Sequence, residues 1–546
     1  MENKKSTNRR QVGSARYSAR VLDQLRSINL WFWFSCLVTL GYGHTNFVSG
    51  RFAPLAYGND ERAIAPLVTG VGESTGAPIR LEKPPARPTN ERDAPPNLIF
   101  ILADDLGYGD LGCYGQKFIK TPRIDALAAG GLRFTDFYAG STVCAPSRCS
   151  LMTGLHTGHA WIRGNGRKSL RHEDVTIAEV LREAGYFNGI CGKWGLGMED
   201  TVGIPTEQGF DYFFGYLDQG HAHNYYPTFL YENETRIQLS NVVPNESPFG
   251  EGKASEKNEY SHDLIMEKAL EFIVEADDRP FFLYLALTIP HANNEAQLEG
   301  MEVPDYGEYQ DLDWPDARKG HAAMISLMDR DVGRLVDHLE QLGLRENTII
   351  FFSSDNGPHE EGGYKPEWNN SRGPLRGIKR SLHDGGIRVP MIINWPKRIA
   401  RGRESSHVAA FWDIMPTLAD LTGESPNLPL GIDGISFYHE IVNEPHLQTR
   451  HEALYWCFYE QGGGQALRMG PWKLVQQPYH SPPRLYNLEN DLGEIRDVSK
   501  QNPEVVAQMV QIMTQQYIFN EHWQFPSLDE WETQQRIKKD VKKQIK

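Results

Sequence analysis

Four stretches of this chain are almost wholly apolar: residues 97–103, 281–287, 348–352 and, with Asn394 inside it, 391–395. A strand with polar residues at alternate positions keeps one face in water. A strand with none is buried on both faces, as in a parallel sheet covered by helices. Between these runs, apolar positions recur at helical spacing over 176–184, about 263–275 and about 321–342. Strands alternating with amphipathic helices predict an α/β fold, a large mostly parallel sheet flanked by helices. From about Glu452 the pattern changes. Short runs at 453–456, 465–468, 472–475 and 484–488 are divided by Gly and Pro, and a helical segment follows at 503–517. That predicts a small C-terminal antiparallel sheet with one helix packed on it. No internal repeat is visible.

The first fifty residues carry seven Lys or Arg against Glu2 and Asp23, followed by an apolar run over 28–42. A basic segment and an apolar segment of that length read as an export signal for the periplasm or exterior, with an uncleaved anchor as the alternative and no stable membrane insertion expected. Residues 51–95 are rich in Pro, Gly and charge and read as a linker or surface arm.

The 546 residues exceed one average domain and allow a large core. A formal net charge of -15 argues against a nucleic-acid partner. It also repels polyanions at long range, so any anion site must be a local basic pocket. Apart from Cys36 in the export segment, the cysteines are Cys113, Cys144, Cys149, Cys191 and Cys457. Their spacing fits no zinc site, and it permits disulfides without requiring them.

Two of the buried strands run into acidic clusters, Asp104-Asp105 after the first and Asp355-Asn356-Gly357 after the 348–352 run. Ligands of parallel sheets sit beyond the carboxyl ends of the strands, so both clusters can meet in one crevice. Oxygen donors without His or Cys suit a hard cation, Ca²⁺ or Mg²⁺ rather than zinc. Read alone, either cluster is equally a pair of turn formers or helix caps.

Cys144-Ala145-Pro146-Ser147-Arg148, with Thr153-Gly154 downstream, resembles the C-x-P-S-R signature of the type I sulfatases. Gly192-Lys193-Trp194-Gly195-Leu196-Gly197 resembles their G-K-W-H-L-G segment, and Pro290-His291 their P-H motif. Leu375 to Lys379 with Gly385 to Pro390 resembles L-R-G-x-K…G-G-x-R-V-P, and Arg468 to Lys473 resembles a motif of the C-terminal subdomain. The resemblance spans about residues 96–520. It implies an alkaline-phosphatase-like catalytic domain over 96–440, a C-terminal α+β subdomain over 441–525 and a charged tail over 526–546. It implies that a maturation enzyme oxidises Cys144 to Cα-formylglycine (3-oxoalanine), whose hydrate is the nucleophile in hydrolysis of a sulfate ester on a carbohydrate or aryl group. Asp104, Asp105, Asp355, Asn356 and residue 144 would hold Ca²⁺. Lys193 and Lys379 would bind sulfate oxygens, and Arg148, on the face of Cys144 in a helix starting there, would help neutralise the ester's charge. His291 would be the acid for the leaving alkoxide, a role suited to imidazole, with Lys379 as the alternative.

Gly195 departs from the pattern, standing where the family has a histidine thought to move a proton as sulfate is released. Either another histidine (His156, His159, His221 or His223) serves, or water or Asp355 does, or turnover is slow or absent. The rival functions are a phosphomonoesterase or phosphodiesterase of the same superfamily and a non-catalytic sulfated-glycan binding protein. The loops 221–226 and 161–165 are polar and aromatic, as sugar-binding loops are. His223 and His359 are the candidate substrate contacts.

Overall fold

The computed structural model describes residues 94–533 and 536. The expected export segment, the 51–95 arm up to residue 93 and the lysine-rich end from 537 lie outside the described residues. In chain order the strands are β1 (Asn97–Ala103), β2 (Leu132–Phe134), β3 (Phe137–Tyr138), β4 (Phe187–Lys193), β5 (Tyr212–Tyr216), β6 (Phe229–Glu232), β7 (Thr235–Gln238) and β8 (Phe281–Ala286). They continue with β9 (Thr348–Ser354), β10 (Met391–Asn394), β11 (Arg403–Ser405), β12 (Ala409–Ala410), β13 (Leu454–Phe458), β14 (Gly464–Met469), β15 (Trp472–Gln476) and β16 (Arg484–Asn487).

Ten of these form one sheet in the order β11-β2-β10-β9-β1-β8-β4-β5-β6-β7. Its centre, β9-β1-β8-β4-β5, is parallel throughout. The 391–395 run is a strand, but it lies antiparallel to both β9 and β2. The segment from 355 to 390 contains one 3-10 turn and the four-residue helix Asp384–Ile387. It has no helix to carry the chain back across the sheet, so β10 enters from the edge at which β9 leaves.

Both faces of the centre are covered, as the unbroken apolar runs require. Ile99, Ile101 and Ala103 of β1 pack with helices Pro122–Ala129, Ser261–Glu275 and Asp316–Gln341. Leu98, Phe100 and Leu102 pack with helices Cys144–Thr153, Ile177–Glu183 and Ile414–Thr422. The helix at 177 starts where its sequence says it should. Thr176 Oγ1 accepts from the Glu179 amide, and the Glu179 carboxylate accepts from the Thr176 amide.

The small sheet, β13-β14-β15-β16, is antiparallel. Trp456, Ala466 and Val475 of one face pack with Tyr138 and Trp412 of the main body. Leu467, Leu474 and Leu485 of the other pack with Met509 and Met513 of helix Pro503–Gln515. A buried ion pair crosses to the main body, Lys473 Nζ to Asp384 Oδ1 at 2.7 Å. The five cysteines from Cys113 to Cys457 are free. Among the described residues no helix is long and apolar enough to cross a membrane.

Candidate active site

Four neighbouring parallel strands, β9, β1, β8 and β4, point their carboxyl ends the same way. β1 runs into Asp104 and Asp105, β9 into Asp355 and Asn356, β8 toward His291, and β4 ends on Lys193. Helix Cys144–Thr153 begins above this edge with every residue buried. Pro146 falls in its first turn, where no helical amide bond is lost. Its positive end presents Cys144, whose Sγ lies 3.4 Å from Asp104 Oδ1. Ser147 Oγ donates to the Asp355 carbonyl and accepts the Gly140 amide, pinning the turn.

The carboxylates share one pattern. Asp104 gives Oδ2 to Lys193 Nζ at 2.6 Å and to Arg148 at 3.4 Å, leaving Oδ1 to Cys144. Asp105 gives Oδ2 to Lys379 Nζ at 2.9 Å and Oδ1 to Asn356 Nδ2. Asp355 accepts Arg148 Nε and Nη2 on Oδ2 at 3.1 and 2.9 Å, while Oδ1 accepts the Asp105 amide. Each gives Oδ2 to a basic side chain, while Oδ1 is met by Cys144 Sγ, the Asn356 amide and the Asp105 backbone amide respectively. Asn356 Oδ1 is buried with no partner. Carboxylate oxygens beside an orphaned amide oxygen make a donor set that fits a hard divalent cation. Asp105 adopts φ 65°, a left-handed backbone that a short polar side chain tolerates at a functional turn.

Electrostatics agree with that fit. Burial would raise Asp104 and Asp105, but Lys193 beside the first and Lys379 beside the second hold both below the usual carboxylate range. Asp355 loses that contest: burial, with Asp104 next to it, pushes it up to about 7. A third ionised carboxylate therefore needs more positive charge than the side chains supply. Burial and Asp104 also push the Cys144 thiol well above its ordinary value, so as a thiol it is protonated and a poor nucleophile.

His291 donates Nδ1–H to the Ala292 carbonyl at 2.7 Å, which leaves the lone pair of Nε2 facing Lys379 Nζ at 3.0 Å. Burial and then the Lys379 charge lower His291 to about 3. Burial would lower Lys379, but Asp105 and Glu361 raise it well above its ordinary value. The proton of this pair therefore rests on the lysine.

Cys144, His291 and Lys379 line a cavity of about 400 Å³, together with His223 and residues of the 165–168 loop. His223 stacks on His291 with ring centroids 4.8 Å apart. His359 does not line the cavity. It is fully buried, donates Nε2–H to the Pro290 carbonyl and accepts the Glu361 amide on Nδ1. Nor do His156, His159 or His221, three of the four candidates for the missing histidine. His156 and His159 gather around Asp433, and His221 packs on Tyr216 and Phe229. Both oxygens of Asp355 are already bonded.

Two contributors, Glu361 and Gln219, were missed from sequence, while Asn165 belongs to the 161–165 loop already singled out. Glu361 Oε2 meets Lys379 Nζ at 3.2 Å, and its only sequence signal was its place in the loop after Asp355. Asn165 Oδ1 accepts the Ala145 amide at 2.9 Å. Gln219 accounts for Gly195. That glycine has φ 75°, and a Cβ there would lie 2.0 Å from Gln219 Nε2. The volume a side chain at 195 would fill is taken by the Gln219 amide, which donates to the Gly195 carbonyl.

A sequence model of the family described as "Sulfatase" matches residues 96–424, and one described as "N-sulphoglucosamine sulphohydrolase, C-terminal" matches 378–520. The chain is 34% identical over 468 residues to arylsulfatase A of Homo sapiens, covering 77% of this chain and 87% of that one. It is 30% identical over 522 residues to an N-acetylgalactosamine-6-O-sulfatase of Bacteroides thetaiotaomicron, covering 82% and 98%. A solved structure described as "Crystal structure of Ps i-CgsB in complex with k-i-k-neocarrahexaose" superposes with TM-score 0.66 at 31% identity, covering 77% of this chain and 92% of that one.

Proposed function

The chain belongs to the sulfatase family and hydrolyses a sulfate ester, and from that premise we propose that it does so at Cys144, oxidised to Cα-formylglycine, on a sulfated carbohydrate. The observation that carries this reading is the place of Cys144 at the buried start of its helix, its Sγ 3.4 Å from Asp104 Oδ1, with Lys193 on Asp104 and Lys379 on Asp105 beside it. The Sγ atom stands in for a hydroxyl oxygen of the hydrated aldehyde. That hydrate would supply the nucleophile that a buried thiol does not. Ca²⁺ held by Asp104, Asp105, Asp355 and Asn356 would supply the remaining positive charge against the sulfate oxygens.

The chain's own residues do the rest. Arg148 is wholly buried and holds Asp355 and the Lys193 carbonyl in place. Lys379 presents its ammonium group to an anion in the cavity, and Lys193, buried against Asp104, adds positive charge from behind, where charge developing in the transition state is stabilised without reorganisation. Lys379 carries the proton for the leaving alcohol, and His291 accepts from it and fixes its direction. His223 lines the same cavity, and we assign it the proton-accepting role left open at position 195. Gly195 adopts φ 75°, which suits glycine, and His223 leaves a proton acceptor in the cavity, so that departure does not by itself favour a non-catalytic binding protein. Export through the 28–42 segment and the divisions at 96–440 and 441–525 belong to the same proposal.

The test is peptide mass spectrometry of residue 144 in protein from its own host or co-expressed with a maturation enzyme. Trypsin releases residues 134–148 as one peptide, and replacement of the thiol by an aldehyde lowers its mass. An unmodified thiol in protein that turns over an aryl sulfate would rule this mechanism out.

A further inference from the structure

The helix that carries residue 144 has no cap of its own. Val143 stands at its N-cap, and its side chain has no oxygen to accept a first-turn amide. Asn165, twenty residues past Ala145, supplies one from another loop, its Oδ1 accepting the Ala145 amide at 2.9 Å. That contact also fixes which end of the side chain is which. A backbone N–H only donates, so the atom facing it is the oxygen and the NH2 group turns away from the helix. Among the described residues no protein group accepts from Asn165 Nδ2. The residue is exposed, and the space it borders is the cavity lined by Cys144, His291 and Lys379. Its loop is held on both sides. Gly164 and Gly166 lie against the Trp523 indole, where a Cβ would fall 2.5 and 3.0 Å from ring carbons. Trp523 Nε1 donates in turn to the Trp161 carbonyl at 2.9 Å. Arg167 is tied to Glu251 and, at 3.1 Å, to Asp218, with its guanidinium 4.0 Å from the Phe249 ring centroid.

We infer that Asn165 is a substrate-binding residue whose Nδ2 donates to an oxygen of the sulfate group, an inference that rests on the sulfate-ester reading of the site. Its Oδ1 is bonded to the amide next to residue 144, so the donor stands close to the nucleophile and on the cavity side. The loop already holds it there, so little ordering is left to be done when the anion arrives. One amide thus serves two partners: the oxygen caps the helix and the nitrogen binds the ligand. Substitution separates the two roles. Asn165→Asp keeps the shape, keeps an oxygen for the Ala145 amide and suits a helix N-terminus. It also replaces the donor with a second oxygen, which would face the sulfate and repel it. If capping were the whole role, aspartate would serve as well as asparagine.

The experiment is calorimetric titration of the full chain carrying Cys144→Ala with phenyl sulfate, in calcium buffer, beside a thermal melt of each variant. Phenyl sulfate has no hydroxyl, so its sulfate oxygens are the only acceptors it offers. Adding Asn165→Ala should weaken binding at least about tenfold, the size of a lost hydrogen bond to a charged group, and lower the melting temperature. Adding Asn165→Asp should weaken binding at least as much, yet melt no lower than the Cys144→Ala parent. That deficit should persist in about 0.5 M NaCl, where charges are screened beyond about 4 Å. Undiminished binding by the aspartate variant overturns the inference. So does a deficit that salt abolishes, which would be repulsion at a distance, and so does failure of the parent to bind. Turnover of phenyl sulfate by matured wild-type protein is read separately. Binding that depends on Asn165 without turnover removes the reading of the site and leaves the sulfate contact standing.

Discussion

At Gly195 two constraints coincide, a left-handed backbone and a neighbour already in place. An L-residue in that conformation costs about 1–2 kcal/mol, and its Cβ would also have to displace Gln219. Gly195→Ala should therefore lower both the melting temperature and kcat. Adding Gln219→Ala should recover the steric part and leave the conformational part, which a thermal-melt double-mutant cycle separates. Asp110 makes a different prediction, away from the catalytic groups. Burial raises it to about 7, with Oδ1 unpartnered. A carboxyl raised in the folded state contributes its full stability below the unfolded value of 3.8 and loses it as pH climbs through 7. Asp110→Asn has no proton to lose. Urea unfolding at pH 5 and pH 8 should show the variant gaining on wild type by roughly 2–3 kcal/mol over that interval, about 1.4 kcal/mol for each pH unit up to 7. An unchanged difference would mean that the folded carboxyl is already ionised at pH 5.

Between elements, the buried Lys473–Asp384 pair joins β15 to the short helix Asp384–Ile387, which Arg388 and Tyr138 also hold through Asp384. Lys473→Met leaves Asp384 short of a partner, and breaking a buried pair from one side costs about 3–5 kcal/mol. The expected result is a lower melting temperature and early proteolytic cleavage near the small sheet, and Asp384→Asn in the same chain should return part of the loss. These elements were unequally legible. β1, β8 and β9 announced themselves because burial on both faces leaves no polar position to interrupt the run, and Thr176 with Glu179 wrote the start of a helix into four residues. The direction of β10 was hidden, since it depends on what a 36-residue connection lacks. The site was legible where chemistry is concentrated in short motifs, at Cys144 to Arg148, Asp104-Asp105 and Asp355-Asn356. It was illegible where one contact depends on two loops. Nothing near Gln219 in sequence says that it fills the space beside Gly195, and nothing near Glu361 says that it reaches Lys379.

Over the whole molecule the net charge of -15 makes the catalytic edge an exception, a place where Arg148, Lys193 and Lys379 surround three buried carboxylates and still leave Asp355 up at about 7. A divalent ion binding there should stabilise the entire fold, by about 2.7 kcal/mol at a hundred times its dissociation constant. Calcium should raise the melting temperature by about 2–6 °C in a saturable way. EDTA should reverse the gain and Asn356→Ala should remove most of it; a melting temperature indifferent to calcium would count against the site. The strand order has a further consequence, one of timing. β1 lies between β8 and β9, so its hydrogen bonds wait until residue 281 has been made, about 180 residues later. At roughly 5–20 residues per second that is on the order of ten to thirty-five seconds. Through that interval a seven-residue apolar strand has no neighbour, and a nascent chain in this state is a client for chaperones. Cys144 emerges inside the same interval and is 1% exposed once the sheet closes. Any enzyme large enough to need the backbone around it would therefore have to reach residue 144 before the chain folds.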